Sequence, residues 1–460
     1  MIVNSTSPVV SPLGWFGIVR LGLVQTSLGA IVVLATSTLN RVMVVELALP
    51  AMLPGALVAI HYAIQLLRPR WGYSSDQGGR STPWIIAGMA TLCLGGVTAA
   101  LATALMATNL PAGIALAIVG FVMIGIGVGA AGTSLLVLLA KRVVAERRAA
   151  AATIVWVMMI AGFIVTAGTA GHFLDPFSPE RLVAVTAAVA AIAFSLSLVA
   201  VAGVEGNHGT RTEATASAHP KHAAVPFRTA LAEVWQETEA RRFTIFVFVS
   251  MLAYSAQDLI LEPYAGAVFG YTPGQSTQLA GVQNGGVLSG MIMVAVVASL
   301  LPGGVLGSLR FWTVSGCLAS AVALFGIAAA GIVGPAAPLK LAVFLLGLAN
   351  GAFAVAAIGS MMALAGKGRS SREGVRMGIW GAAQAIAFGA GGLIGAIAAD
   401  VMKLILGSPA AAYIAVFSIE ALLFVVAAAL ALTVGNVQAG SRRQQPVEAF
   451  GTNVLAGVAD

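Results

Sequence analysis

The chain has 460 residues, of which 59% are apolar and 9% charged, with a formal net charge of +7 and a mean hydropathy of +0.95. Such a composition cannot present a water-facing surface over this length, which excludes a soluble globular protein, a collagen-like repeat and a disordered chain. The basic excess sits in short loops between apolar segments, a topology signal that excludes a nucleic-acid partner.

Met1–Pro12 lacks the basic and then apolar pattern of a removable signal. Beyond it, a helix needs about 20 apolar residues to cross the hydrocarbon layer. Twelve segments qualify: 18–40, 50–67, 84–107, 111–140, 150–171, 181–203, 243–263, 277–301, 310–333, 337–365, 375–399 and 409–434. The expected fold is therefore an all-α polytopic membrane protein. Every Lys and Arg except Arg41, Arg181, Lys340 and Lys403 falls on one side of this arrangement, so that side and both termini are expected to be cytoplasmic.

The boundaries follow: an N-terminal six-helix bundle over 1–205, a cytoplasmic linker over 206–242, a C-terminal six-helix bundle over 243–435 and a cytoplasmic tail over 436–460. Within the linker, Gly206–Ala224 is small and polar, as a flexible connection is. Pro226–Arg242 spaces Phe227, Leu231, Val234, Trp235 and Thr238 like an amphipathic helix lying on the membrane surface. His208, His219 and His222 in and beside the polar part read as solvated linker, and the expectation is no metal site. Two bundles with a central linker predict a substrate path between the halves.

Four features carry chemistry. The loop Gly72-Tyr-Ser-Ser-Asp-Gln-Gly-Gly-Arg80 matches the spacing of the cytoplasmic loop motif of the major facilitator superfamily, in which Gly72, Asp76, Gly79 and Arg80 would turn the chain and tie helix ends together. The basic positions usual after the Asp and the Arg are here Gln77 and Ser81.

The second feature is charge inside apolar segments, which is costly unless paired or wet. The first segment ends in Asn40-Arg-Val-Met-Val-Val-Glu-Leu-Ala-Leu-Pro50, and the seventh carries Asp258, Glu262 and Pro263. Asp258 and Glu262 lie four apart on one helix face. Arg41, Glu46, Asp258, Glu262 and Pro263 are therefore candidates for an outer gate. Arg41 either pairs with Asp258 or Glu262 across the cleft or, with them, reaches outer water. Pro263 predicts a kink or stop at Glu262 that frees carbonyls for a ligand or water.

The third feature is His61, near mid-bilayer, which either ligates the magnesium of a chlorin or relays a proton, or is simply hydrogen-bonded within its bundle. Glu420, in the middle of the last segment, is either protonated or paired with a polar group such as Gln384. His61, Asp258, Glu262 and Glu420 form the pigment- or substrate-binding set. Glycine is the fourth: Gly125, Gly127, Gly129 and Gly132, and Gly389, Gly391, Gly392 and Gly395, permit close helix contact or room for a flat ligand, and close packing is the expected reason. With no nucleotide loop, catalytic triad or metal-ligand cluster in the sequence, an enzyme is not expected.

Thr38-Leu-Asn-Arg-Val-Met-Val-Val-Glu-Leu-Ala-Leu-Pro-Ala51, Arg80-Ser-Thr-Pro-Trp-Ile85 and the stretch from Tyr254 to Gly270 resemble the signature segments of the PucC/LhaA family, the bacteriochlorophyll delivery branch of the major facilitator superfamily. The resemblance runs from about Pro12 to Leu432. It implies a cytoplasmic or intracytoplasmic membrane of a photosynthetic bacterium, a bound cargo of bacteriochlorophyll or a late precursor with no covalent cofactor, and light-harvesting apoproteins or pigment-synthesis enzymes as partners beside the lipid. The short N-terminus and His61-Tyr-Ala-Ile-Gln-Leu-Leu-Arg-Pro-Arg70 lean towards the shorter family type associated with pigment-synthesis genes. Three functions remain open at this point: pigment delivery and antenna assembly, proton-coupled transport of a small molecule, and a non-transporting assembly scaffold.

Overall fold

A computed structural model of the chain describes residues 13–66, 80–144, 147–205, 235–301, 304–365 and 373–434. Within them the backbone is helical in twelve apolar stretches: α1 (Trp15–Glu46), α2 (Met52–Gln65), α3 (Thr82–Met106), α4 (Leu110–Arg142), α5 (Arg148–Leu174), α6 (Pro179–Val201), α7 (Thr238–Phe269), α8 (Pro273–Leu300), α9 (Leu309–Val333), α10 (Leu339–Ala365), α11 (Glu373–Leu406) and α12 (Pro409–Thr433). Eleven are long and apolar enough to cross a membrane, and α2 is described over 14 residues. The chain is a multi-pass membrane protein, and its twelve helices follow the predicted segments.

Several helices start alike. A Ser, Thr or Asn side chain accepts from a backbone N–H and proline occupies the first turn, as at Asn109, Ser178, Thr272 and Ser408. Several boundaries differ from expectation, α11 for one running past residue 399 to Leu406. α1 continues past Arg41 to Glu46, and α7 begins at Thr238, so Arg241 and Arg242 belong to its first turns and not to a surface helix. The rest of the predicted surface helix, up to residue 234, lies outside the described residues.

Two apolar cores form. One draws on α1 to α6, around Leu21, Leu28, Met89, Phe121 and Leu135; the other on α7 to α12, around Phe243, Phe246, Phe353, Trp380, Phe417 and Phe424. Leu259 of α7 is packed into the first core, and two smaller clusters, Val33 with Ala167 and Ala280 and Ile160 with Val287 and Met291, join α1 and α5 to α8. The two halves meet along α2 with α11 and along α5 with α8. Both seams are built on small residues: a Cβ at Gly55 would lie 2.9 Å from Ala396 Cβ, and one at Gly171 2.6 Å from Gly274 O. The predicted glycine packing appears within each half too, since a Cβ at Gly127 would lie 2.5 Å from Leu92 N and one at Gly395 2.9 Å from Ala256 O.

Call the end that carries Trp15, Val201, Thr238 and Thr433 the linker end. Polar contacts here tie helices together within one half. Arg20 donates to Val199 O and Ala202 O at the end of α6, and Arg242 to Thr433 O at the end of α12. The second arrangement repeats the first, and both set a cation on a helix C-terminus. Glu205 accepts from Ser81 N (2.7 Å) and Thr82 N (2.8 Å), capping α3, and Arg376 makes a two-pronged pair with Glu237 at 2.7 and 2.8 Å.

Candidate functional site

The opposite, far end is where hydrogen bonds join the halves. Its organiser is the last part of α1, where two π-type stretches, Leu34–Thr38 and Val42–Glu46, interrupt the α-helix. Residues five apart lie about 140° round an ideal α-helix, and the wider π turn brings them together. Arg41 and Glu46 are such a pair. Buried at 2% exposure, Arg41 sets Nη1 2.5 Å from Glu46 Oε1 and donates from Nη2 to Tyr271 O, also at 2.5 Å. Glu46 is 33% exposed, so part of the attraction is screened by solvent. The guanidinium lies over Gly266 of α7, where a Cβ would come 2.9 Å from Nη2. The expected pairing of Arg41 with Asp258 or Glu262 is thus replaced by a pair along its own helix, and its reach across the seam is to a backbone carbonyl.

Pro263 does not end α7, which runs on to Phe269 and closes at Gly270 in the left-handed conformation, φ +69°. A proline has no N–H to give to the carbonyl four residues earlier, here Leu259 O. Asn40 of α1 supplies the missing donor, with Nδ2 2.6 Å from Leu259 O. The carbonyl predicted to stay open for a ligand is used to bind one half to the other. Asn40→Ala is expected to destabilise the protein by about 1–3 kcal/mol by orphaning that carbonyl. Pro263→Ala, which restores an N–H, should recover most of the loss. Thermal unfolding of the two single variants and the double in detergent checks this, and simple additivity would break the link.

Two carboxylates complete the far end in matching fashion. Asp400 of α11 accepts from Ala51 N (3.0 Å) and Met52 N (2.8 Å) at the start of α2. Asp175, after α5, accepts from Thr272 Oγ1 (2.6 Å) and Gly274 N (3.2 Å) at the start of α8. Each acid therefore caps the positive end of a helix in the other half. Thr38 and Thr277 add a hydroxyl contact at 2.9 Å. Neither aspartate was singled out from the sequence. The available signal was a repeat in the sequence: the basic stretch from Lys141 to Arg148 before α5 corresponds to that from Lys367 to Arg376 before α11, and each acid lies towards or just beyond the end of the helix that follows.

Deeper in the seam lies a second group. Asp258 of α7 accepts from Gln283 Nε2 of α8 at 3.1 Å. Tyr254, one turn before Asp258, lies within electrostatic reach of it and of Tyr62 on α2. The rings of Tyr62 and Phe388 are 5.6 Å apart and those of Phe388 and Tyr254 5.8 Å, so three half-buried aromatic residues bridge α2, α11 and α7. Glu420, 2% exposed, lies within electrostatic reach of Asp258, yet neither of its oxygens has a hydrogen-bond partner; the expected pairing with Gln384 is not formed. Glu262, also 2% exposed, lacks a well-formed hydrogen bond at either oxygen, with Ser37, Arg41 and Asp258 as its electrostatic neighbours. His61 is buried against α4, with Nε2 2.8 Å from Gln65 Nε2, and lies beside Tyr62. The structure therefore gathers Asp258, Glu262 and Glu420 and adds Tyr62, Tyr254, Gln283 and Phe388, which sequence reasoning missed. Of the predicted loop motif, Arg80 is exposed at the start of α3, while Gly72, Asp76 and Gly79 lie outside the described residues.

Similar proteins fit this picture. The family model described as PUCC protein matches residues 38–439. A relative from Rhodobacter capsulatus named bacteriochlorophyll synthase 44.5 kDa chain is 55% identical over 432 residues, which are 94% of this chain and 98% of that one. The protein named PucC of Cereibacter sphaeroides is 29% identical over 431 residues, 88% of each chain. Among solved structures, a bacterial homologue of the human lysosomal transporter Spinster, inward-facing and unoccupied, superposes with a TM-score of 0.66 at 14% identity, covering 91% of this chain and 96% of that one. A D-xylose–proton symporter gives 0.65 at 14% identity over 91% and 97%. The fold is of the major facilitator type, with six helices in each half. By the match over 38–439 and the 55% identity along nearly its whole length, the chain belongs to the PucC family.

Proposed function

We propose that this protein handles bacteriochlorophyll or a late precursor, taking it up between the two halves and passing it to light-harvesting apoproteins or pigment-synthesis enzymes. The observation that carries the reading is the 55% identity to a relative named for bacteriochlorophyll synthase, on a fold shared with carriers. The half-buried rings of Tyr62, Tyr254 and Phe388 at the seam suit a flat conjugated ligand. In this reading the chain binds and moves pigment and is not the catalyst that makes it. Its place is the cytoplasmic or intracytoplasmic membrane, with both termini in the cytoplasm, in keeping with the basic loops. A deletion strain should make markedly less antenna complex under phototrophic growth; normal antenna and pigment levels would contradict the proposal.

The unpartnered buried acids Glu262 and Glu420 favour one second reading, a carrier in which a carboxyl group takes up and releases a proton with its cargo. Proton-driven uptake into vesicles distinguishes it from pigment handling without transport.

A further inference from the structure

The core of the C-terminal half holds a group of polar side chains away from the seam. α7 starts and α12 ends at the linker end, so these two helices run antiparallel, and the rings of Tyr264 and Tyr413 are 5.6 Å apart between them. Two turns towards the linker end the same faces meet again, which sets Gln257 of α7 opposite Glu420 of α12. A second layer gives the same level. Phe353 of α10 has its ring 6.4 Å from that of Tyr254 and 5.7 Å from that of Phe424. One turn towards the far end from these three lie Gln257, Asn350 and Glu420. Ser320 of α9 joins them, with Oγ 2.9 Å from Asn350 Oδ1.

All four side chains are at most 2% exposed. Both oxygens of Glu420, both polar atoms of Gln257 and Nδ2 of Asn350 have no hydrogen-bond partner. Ser320 has one proton for two acceptors, Asn350 Oδ1 and Gly316 O, each at 2.9 Å. Such a set is costly in a core unless a further group completes it. Glu420 is its only ionisable member, so a monovalent cation neutralises the group, whereas a divalent one leaves a buried charge. Oxygens 2.9 Å apart can both reach an ion at about 2.4 Å, the distance kept by cations of calcium's size, and the monovalent ion of that size is sodium. We propose that Glu420, Gln257, Asn350 and Ser320 bind a sodium ion inside the C-terminal half. The carboxylate supplies the charge, and the two amide oxygens and the hydroxyl supply neutral ligands.

The test uses the full-length protein in detergent, at one fixed pH and ionic strength, unfolded by heat in choline, potassium or sodium chloride. Sodium chloride at about 100 mM is expected to raise the midpoint by at least about 2 °C over choline, and potassium by less than half as much. The sodium shift should disappear in Glu420→Gln, which keeps the shape and loses the charge, and shrink in Gln257→Leu. Two variants on different helices keep the result readable if one fails to fold. In choline, Glu420→Leu should unfold above the unaltered protein, and sodium should narrow that gap. Equal midpoints of the unaltered protein in sodium and potassium overturn the inference. A sodium shift that survives in Glu420→Gln also overturns it, because the ion then binds elsewhere. Either result leaves pigment handling intact.

Discussion

Replacing Asp175 and Asp400 together with alanine is expected to raise the reactivity of a cysteine placed at Thr277 towards a membrane-impermeant maleimide by about 30- to 700-fold. Thr277 is fully buried beneath Thr38 in the closed far end, so its labelling reports opening. Each aspartate caps a helix N-terminus of the other half with two hydrogen bonds. A cap of this kind contributes about 1–2 kcal/mol. The two sites belong to different seams and share no partner, so their contributions should add to about 2–4 kcal/mol, which sets the range of the expected increase. Single variants should fall between, at about 5- to 30-fold each. Cys317, fully buried inside the C-terminal core, serves as the control and should stay unreactive. Unchanged labelling of the double variant would mean that the far end is held by something else, and a reactive Cys317 would mean general unfolding.

Glu420→Leu should stabilise the protein and impair it. The carboxyl group is buried without a hydrogen bond, surrounded on its own helix by Phe417, Ala421 and Phe424. Burial of such a group opposes folding by about 1–3 kcal/mol, and a leucine of similar size removes that term. Thermal unfolding in detergent should therefore shift upwards for Glu420→Leu and little for Glu420→Gln, which leaves a polar group in place. If Glu420 is retained for cargo or proton binding, the same leucine variant should restore less antenna complex than the unaltered gene in a deletion strain. A leucine variant that is both less stable and fully functional would show that Glu420 is an ordinary, satisfied core residue.

Much of this architecture is legible in the residues themselves. Length and apolarity mark the twelve helices, because a span must satisfy its backbone internally and leaves a long uniform signal. The acids of α7 and the arginine of α1 attract notice because charge in hydrocarbon requires an explanation. What escaped was winding and partnership. No residue propensity announces the π turns that bring Arg41 to Glu46, and an α-helical reading sends the guanidinium across the seam to Asp258 or Glu262, or to outer water, instead. Pro263 suggests a broken helix until Asn40, from the other half, is seen to supply the hydrogen bond that the proline removes. Tyr62, Tyr254 and Phe388 are ordinary apolar-segment residues in the sequence, and only the meeting of α2, α7 and α11 makes them a group.

Pigment and partner analysis of the protein, purified in a gentle detergent from its native phototroph, tests pigment handling most directly. The expected result is a chlorin recovered in stoichiometric amount with the chain, together with antenna apoproteins or pigment-synthesis enzymes, and lost when Tyr254 and Phe388 are both replaced by alanine. A chain that comes out free of pigment, from cells whose antenna forms normally without it, would contradict that function.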